Sequence, residues 1–200
     1  KFNNVNYKAK LNNVNITLNS NKINGIYNYN SFIKVLANPK FIEGGTISID
    51  NKTYHKYDPR IIAIVDKDMP FYTSKVIDEI LFYSKVRGYK SRNMKEEINT
   101  LLEKFYLDPS ILKRITPSLS DTEKYFIKLI ANLIYRPKII IFKDIMSGMD
   151  YRNKKIIKKL IEELKEQGVL VILTSFNSNI LYELTDEVVI FNKGKVLISG

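Results

Sequence analysis

The stretch that decides the fold runs from Ser118 to Asp150 and reads SLSDTEKYFIKLIANLIYRPKIIIFKDIMSGMD. Residues 123–135 have the pattern of an amphipathic helix, and Ser120 with Glu123 has the spacing of a capping box at its start. The apolar run 139–142 predicts a strand buried on both faces. Helices alternating with buried strands indicate an α/β protein with a mainly parallel sheet.

The sequence downstream continues this alternation. A helix is predicted over residues 152–167 and ends at Gly168, and a strand follows over 169–173. A short helix over 179–184 precedes a hairpin, whose strands 188–191 and 196–198 are joined by the turn Asn192-Lys193-Gly194-Lys195.

The first third of the chain alternates apolar and polar residues in short runs, which predicts strands over 14–18, 23–27 and 46–49. Asp50-Asn51-Lys52 is a predicted hairpin turn. The first third is therefore predicted to consist of short strands and turns.

The middle of the chain is predicted to be helical. Two amphipathic helices are expected, and Asp108-Pro109 has the pattern of an N-cap followed by proline at the first position of a third. The apolar face of the first helix is predicted from Val76, Ile77, Ile80, Leu81 and Val86, and that of the second from Met94, Ile98, Leu101, Leu102 and Phe105. Three helices between strands predict a helical subdomain, inserted over about residues 74–135 of a single domain that spans residues 1–200.

Composition narrows the functional classes. The 200 residues, 44% of them hydrophobic, suffice for one folded domain, and the absence of cysteine fits a reducing cytosol. A net charge of +11 is compatible with nucleic acid, with an anionic membrane surface, or with lysines scattered over a solvated surface. No basic run is interleaved with aromatic residues, so we expect scattered lysines and no nucleic-acid partner. No apolar run is long enough to span a membrane, so a membrane partner would be a separate chain or lie outside this sequence.

The order of these elements resembles the nucleotide-binding domain of an ATP-binding cassette (ABC) transporter. The resemblance extends from Leu11 to Gly200 and is most specific between Leu119 and Asp150. It implies a P-loop NTPase-like (RecA-like) core with a mainly parallel sheet, an N-terminal antiparallel β subdomain and an inserted helical subdomain.

The phosphate loop of the family, G-x-x-x-x-G-K-[ST], is altered. Here Gly25 is followed by Ile26-Tyr27-Asn28-Tyr29-Asn30 and then by Ser31-Phe32-Ile33-Lys34, about four residues short of the family spacing. We expect a short strand-to-helix turn, with Ser31 as a remaining cofactor-binding candidate and Lys34 as an ordinary helix residue. Tyr7 is the candidate for the family's adenine-stacking aromatic residue, with Phe2 as a poorer one.

The residues that serve magnesium and water in the family are replaced as well. Lys67 takes the place of the family glutamine, Lys143 that of the magnesium aspartate, and Ser175 that of the histidine. Asp144 takes the position of the family's catalytic glutamate and is a candidate for a vestigial catalytic residue. Lys143 is expected to pair with Asp144, Asp66 or Asp68. The one histidine, His55, is expected at the surface, and no metal site is predicted.

The signature loop of the family is altered in this sequence, whereas the D-loop is retained. Where the family has L-S-G-G-Q the sequence reads Leu119-Ser120-Asp121-Thr122-Glu123, which keeps Ser120 as a binding candidate. A carboxylate about 4 Å from a phosphate costs up to roughly 4 kcal/mol near a surface, so these acids fit a helix cap better than a phosphate clamp. The D-loop, Ser147-Gly148-Met149-Asp150, is retained, and in the family it contacts the partner subunit.

The resemblance and its departures together predict a catalytically silent subunit, a pseudo-ATPase with no expected cofactor and at most weak binding of ATP and magnesium. Its expected partners are an ATP-competent ABC subunit, in a heteromer, and a transmembrane permease that holds it at the cytoplasmic face of the membrane. Phe71, Tyr72 and the helix from Ser74 are the candidate docking residues.

Two alternatives remain open at this point. One is an ATPase that still binds and slowly hydrolyses ATP, using Lys143 or Lys34 in place of the usual lysine. The other is a soluble ABC-type protein that acts on nucleic acid or ribosomes, which the charge of +11 would suit.

Overall fold

The computed structural model describes residues 1–8, 10–28, 30–66, 68–144 and 148–199. Its strands are β1 (Phe2–Tyr7), β2 (Leu11–Ile16), β3 (Ile23–Tyr27), β4 (Gly44–Ile49), β5 (Lys52–Thr53), β6 (Ile62–Asp66), β7 (Ile139–Lys143), β8 (Leu170–Ser175), β9 (Glu187–Asn192) and β10 (Lys195–Ser199). Its α-helices are α1 (Asn30–Ala37), α2 (Val76–Val86), α3 (Met94–Lys104), α4 (Asp121–Leu133), α5 (Tyr151–Glu166) and α6 (Ser178–Leu184). Three short 3-10 segments cover Pro39–Phe41, Pro109–Lys113 and Thr116–Ser118.

The main sheet has the strand order β10-β9-β3-β8-β7-β6. β9, β3, β8, β7 and β6 are parallel, and β10 closes the sheet as an antiparallel hairpin with β9. β7 lies between β8 and β6, and its residues 139–142 are buried on both faces. These pairings confirm the predicted mainly parallel sheet. A strand buried on both faces also needs a layer of structure on each side of the sheet.

The two faces of the main sheet are covered by different elements. Ile139, Ile141 and Ile172 face a core shared with α1 and the β subdomain, whereas Ile140, Phe142 and Val171 face the helices α2 to α6. The β subdomain is an antiparallel sheet with the order β2-β1-β4-β5. Asp50 and Asn51 turn β4 into β5 with left-handed backbone at both residues (φ 50° and 61°), as a two-residue hairpin turn requires.

The predicted third helix of the middle region is a short 3-10 turn. Asp108 does cap a helical segment, accepting a 2.8 Å hydrogen bond from the Ser110 amide, but that segment is the 3-10 turn Pro109–Lys113. It leads through a second 3-10 turn, Thr116–Ser118, into α4. None of the helices within the described ranges combines the length and the hydropathy needed to cross a bilayer.

The predicted apolar face of α2 is partly wrong. Leu81 and Val86 are 38% and 54% exposed, whereas Glu79 and Tyr83 are buried. The Glu79 carboxylate accepts hydrogen bonds from the amides of Tyr72 and Thr73, at 3.0 and 2.9 Å. Because these bonds satisfy a buried charge, the helix turns a glutamate inward and leaves apolar side chains outside.

Candidate functional site

The carboxyl ends of β3, β8, β7 and β6 meet at one edge of the main sheet, which is where open parallel sheets bind their ligands. We call it the carboxyl edge. It brings together Tyr27, Ser175, Lys143 with Asp144, and Asp66. Three of the site positions predicted from the sequence, Lys143, Asp144 and Ser175, therefore lie at this edge.

The connection between β3 and α1 is short. β3 ends at Tyr27 and α1 begins at Asn30, so only Asn28 and Tyr29 separate strand from helix, and Tyr29 lies outside the described residues. Asn28 takes a left-handed backbone (φ 59°), and its amide nitrogen donates a 3.2 Å hydrogen bond to the Phe191 carbonyl oxygen. Ser31 is half-buried in the first turn of α1, and Lys34 is exposed on that helix. The expected strand-to-helix turn is present in place of a loop.

The aromatic candidates for adenine stacking are both core residues. Tyr7 and Phe2 are buried in the cluster that joins β1 to α1. The Phe2 ring stacks on Phe32 with 5.1 Å between ring centroids, and the Lys8 ammonium lies 5.9 Å from the Tyr7 ring centroid. Both rings therefore pack within the core of the protein.

Lys143 is paired with Asp66. The two residues occupy facing positions of β7 and β6, and the Lys143 ammonium contacts Asp66 Oδ2. Asp66 Oδ1 also accepts a 3.1 Å hydrogen bond from the Asp68 amide. Of the three carboxylates that the sequence offered to Lys143, the sheet register therefore presents Asp66. Lys67, between the two aspartates, lies outside the described residues.

Asp144 and Ser175 are joined directly. The Ser175 hydroxyl donates to Asp144 Oδ1 at 3.1 Å and accepts from the Asn177 amide at 3.0 Å. The Asp144 amide donates to the Thr174 carbonyl oxygen at 2.9 Å, and Asp144 takes a left-handed backbone (φ 51°). Ser175 is buried, so its hydroxyl links the ends of β7 and β8. A serine hydroxyl has no basic nitrogen and cannot hold a second proton near neutral pH as histidine can.

The signature-loop position is a helix cap, as predicted. The Ser120 hydroxyl accepts from the Glu123 amide at 3.2 Å, and Glu123 Oε2 accepts from the Ser120 amide at 2.7 Å. Arg114 Nη1 donates to Glu123 Oε1 at 2.6 Å. Burial alone would raise the pKa of Glu123, but these hydrogen bonds from Ser120 and Arg114 outweigh it and hold the pKa below its usual value. Ser120 and Glu123 thus cap each other, and Arg114 holds the second oxygen of the Glu123 carboxylate.

Behind the carboxyl edge lies a buried polar group that sequence reasoning missed. Lys128 of α4 is only 7% exposed, and its ammonium lies 5.2 Å from the ring centroid of Phe71. Burial lowers the pKa of Lys128, against the opposing attraction of Asp68 and Asp66. Burial and the charge of Asp66 raise the pKa of the neighbouring Tyr125 hydroxyl well above its usual value. The available signal was a lysine inside an otherwise apolar stretch of α4.

The residues predicted for docking form an exposed apolar surface. Tyr72 is 60% exposed, and its ring lies 5.4 Å from that of Phe82 on α2. Leu81 and Val86 of α2 are also exposed, and we call these four residues the α2 surface. Phe71 is half-buried under Lys128, and Ser74 precedes α2, which begins at Val76. An apolar surface of this kind is typical of an interaction site.

The retained D-loop leads directly into α5. Asp150 caps this helix by accepting from the amide of Asn153 at 2.8 Å, and Gly148 has φ 78°. Ser147 lies outside the described residues. His55 is exposed just after β5. Within the described ranges, no group of three or more histidine, aspartate or glutamate side chains is arranged to hold a metal ion.

Curated relatives of the chain are ABC transporter ATP-binding proteins, although no protein-family profile matches it. The uncharacterised ABC transporter ATP-binding protein YhaQ of Bacillus subtilis is 25% identical over 160 residues, covering 80% of this chain and 53% of its own length. MJ1023 of Methanocaldococcus jannaschii is 29% identical over 126 residues, covering 63% of this chain and 48% of its own. The chain thus spans about half the length of these relatives.

Solved structures show the same fold. The protein cbiO1 of Clostridium perfringens, part of the ABC transporter complex cbiONQ, superposes with a TM-score of 0.84 at 21% identity and covers all of this chain and 87% of its own. The dimeric ABC transporter cassette MJ0796 superposes with a TM-score of 0.83 at 16% identity, covering all of this chain and 97% of its own. At these identities the likeness establishes the fold.

Proposed function

We propose that this chain, a homologue of ABC transporter ATP-binding proteins with the fold of an ABC cassette, is a catalytically silent nucleotide-binding-domain subunit of an ABC transporter complex. It acts as a structural or regulatory partner of an ATP-competent subunit and of a membrane permease. The permease holds it at the cytoplasmic face of the membrane.

The connection between β3 and α1 carries this proposal. A phosphate cradle needs several consecutive backbone amides pointing at one anion, and glycines to let them approach it. Two residues between strand and helix are too few for such a cradle, and both carry side chains. ATP with magnesium is therefore bound weakly or not at all at this edge.

Charge at the carboxyl edge supports the same conclusion. Lys143 brings a cation to the place where the family positions an aspartate for magnesium, and Asp66 already neutralises it. Glu123, on the loop that would cover a phosphate in a partner subunit, is negatively charged at neutral pH and held by Arg114. A dication and a triphosphate would each meet charge of the wrong sign.

The α2 surface supports a membrane partner. Tyr72, Leu81, Phe82 and Val86 leave apolar area in water, and covering it would provide the affinity for a permease. A dimer of two such chains would bring no phosphate loop to either site, so the proposed complex is a heteromer with an ATP-competent cassette.

Titration calorimetry with Mg-ATP at millimolar concentration tests the silent role. We expect no binding heat from this chain, while an intact cassette measured in parallel gives a saturable isotherm. Micromolar affinity for Mg-ATP would overturn the proposal. Co-purification from the native cell should recover an intact cassette and a multi-spanning membrane chain.

A second function, slow ATP hydrolysis by non-standard residues, is favoured by the names of the homologues and by the Asp144–Ser175 contact at the catalytic position. It predicts Mg-ATP turnover that Asp144→Ala abolishes and that the distant control Asp50→Ala leaves intact. If wild-type protein shows no turnover above that of Asp144→Ala, this second function is excluded.

A further inference from the structure

The solvent side of the first half of α5 is strongly basic. Its exposed cations are Arg152, Lys154, Lys155, Lys158 and Lys159, and no acid occurs between them. The glutamates of the helix, Glu162, Glu163 and Glu166, all follow in its second half. Peptide dipoles place partial positive charge at the amino end of a helix and negative charge at its carboxyl end. Asp150 at the N-cap and Lys165 in the last turn suit this dipole. The net charge of each half of α5 nevertheless opposes it, so helix stability does not explain the arrangement.

Two exposed tyrosines lie among these cations. Tyr151 is 73% exposed, with the Lys155 ammonium 4.5 Å from its ring centroid. Tyr106, just after α3, is 70% exposed, and the Arg152 guanidinium carbon lies 6.0 Å from its ring centroid. Tyr106 has φ 55°, at a position after a helix where glycine is strongly favoured. The chain therefore has an exposed tyrosine at a position where the left-handed backbone disfavours a side chain.

A groove of about 420 Å³ separates the end of α3 from α5. Lys104, Lys155 and Lys159 line it together with Tyr106, above the apolar side chains Phe105, Ile156 and Leu160. Of the acids nearby, Glu163 accepts from Lys104 at 2.5 Å and lies 4.0 Å from the Lys159 ammonium. Glu183 accepts from Lys158 at 3.0 Å. Glu103 also lines the groove, so its end nearest α3 is the least basic part.

We propose that this surface, formed by the first half of α5 and by Tyr106, binds single-stranded nucleic acid. Cations along a groove follow the phosphates, and tyrosine rings stack bases whatever their sequence. Tyr151 opens α5 itself, and the fold adds Tyr106 from a distant part of the chain. An anionic bilayer fits less well, because the apolar side of α5 is buried against the sheet and a flat surface does not enter a groove. This binding does not depend on whether the chain binds ATP or a permease.

The proposal is tested by fluorescence anisotropy of labelled oligothymidine and oligouridine with the full chain at low salt. The triple variant Arg152→Gln, Lys155→Gln, Lys159→Gln should bind about tenfold more weakly, and lower the slope of log affinity against log salt by about 2. The control Lys52→Gln, Lys56→Gln, Lys90→Gln removes the same charge from exposed positions elsewhere and should bind like wild type.

Tyr106→Gly separates binding from folding. Glycine suits the backbone at this position, so the variant should melt at or above the wild-type temperature, and yet bind oligonucleotide about tenfold more weakly through lost stacking. Equal loss in the triple variant and its control would overturn the proposal in favour of diffuse charge. Binding to phosphatidylserine vesicles without oligonucleotide binding would overturn it in favour of a membrane, and absence of both would overturn it outright.

Discussion

Lys143 and Asp66 contact each other at facing positions of the last residues of β7 and β6. The pair ties β6, the edge strand from which the chain enters the helical region, to its neighbour β7. The Asp68 amide also donates to Asp66, so this aspartate fixes the start of the segment that leads to α2. An ion pair between two side chains therefore joins β6 and β7 at the carboxyl edge.

The strength of this pair is measurable by a double-mutant cycle. Lys143→Met and Asp66→Asn should each lower the free energy of unfolding, and their combination should cost less than the sum, with a coupling of about 1 kcal/mol because both side chains are partly exposed. Urea unfolding of the four proteins gives this energy. Additive costs would mean that the contact contributes nothing to stability.

The capping box predicts a specific dependence on pH. The pKa of folded Glu123 lies below its unfolded value of about 4.5, so its contribution is fully present above that pH and is lost as the pH falls through the folded pKa. Glu123→Gln should cost about 1 kcal/mol of unfolding free energy at neutral pH, and this cost should shrink in acid. Glu96→Gln, at the exposed start of α3, is the matched control. A cost that is constant with pH would contradict the assignment.

Much of the fold could be predicted from the sequence, because its signals are local. The strand over 139–142 and the cap at Ser120 depend on runs of a few residues, and both are present. The partner of Lys143 could be narrowed only to three aspartates, because the choice depends on which strand lies beside β7 and in what register. The buried face of α2 was predicted only in part for a related reason, since Glu79 is satisfied by backbone amides that the helix pattern does not contain.

Buried Lys128 predicts a gain in stability on its removal. Its folded pKa is lowered by burial, so the charged form costs folding free energy below that pKa, and the cost disappears as the pH rises towards the unfolded value of 10.5. Lys128→Met should raise the free energy of unfolding by about 1 kcal/mol at neutral pH, with a gain that declines in alkali. Lys124→Met, one turn earlier and more exposed, is the control. Destabilisation by Lys128→Met would instead mean that its attraction to Asp66 and Asp68 exceeds the cost of burial.

The α2 surface predicts a loss of assembly without a loss of folding. Tyr72→Ser and Phe82→Ser remove exposed rings, so together they should change the free energy of unfolding by less than about 1 kcal/mol. They should nevertheless abolish recovery of the membrane chain when the tagged protein is purified from detergent extracts. Tyr182→Ser removes a ring that is 90% exposed on α6 and should leave recovery unchanged. Equal recovery by all variants would contradict docking of the proposed permease on the α2 surface, whereas equal loss would indicate non-specific adhesion through exposed aromatic side chains.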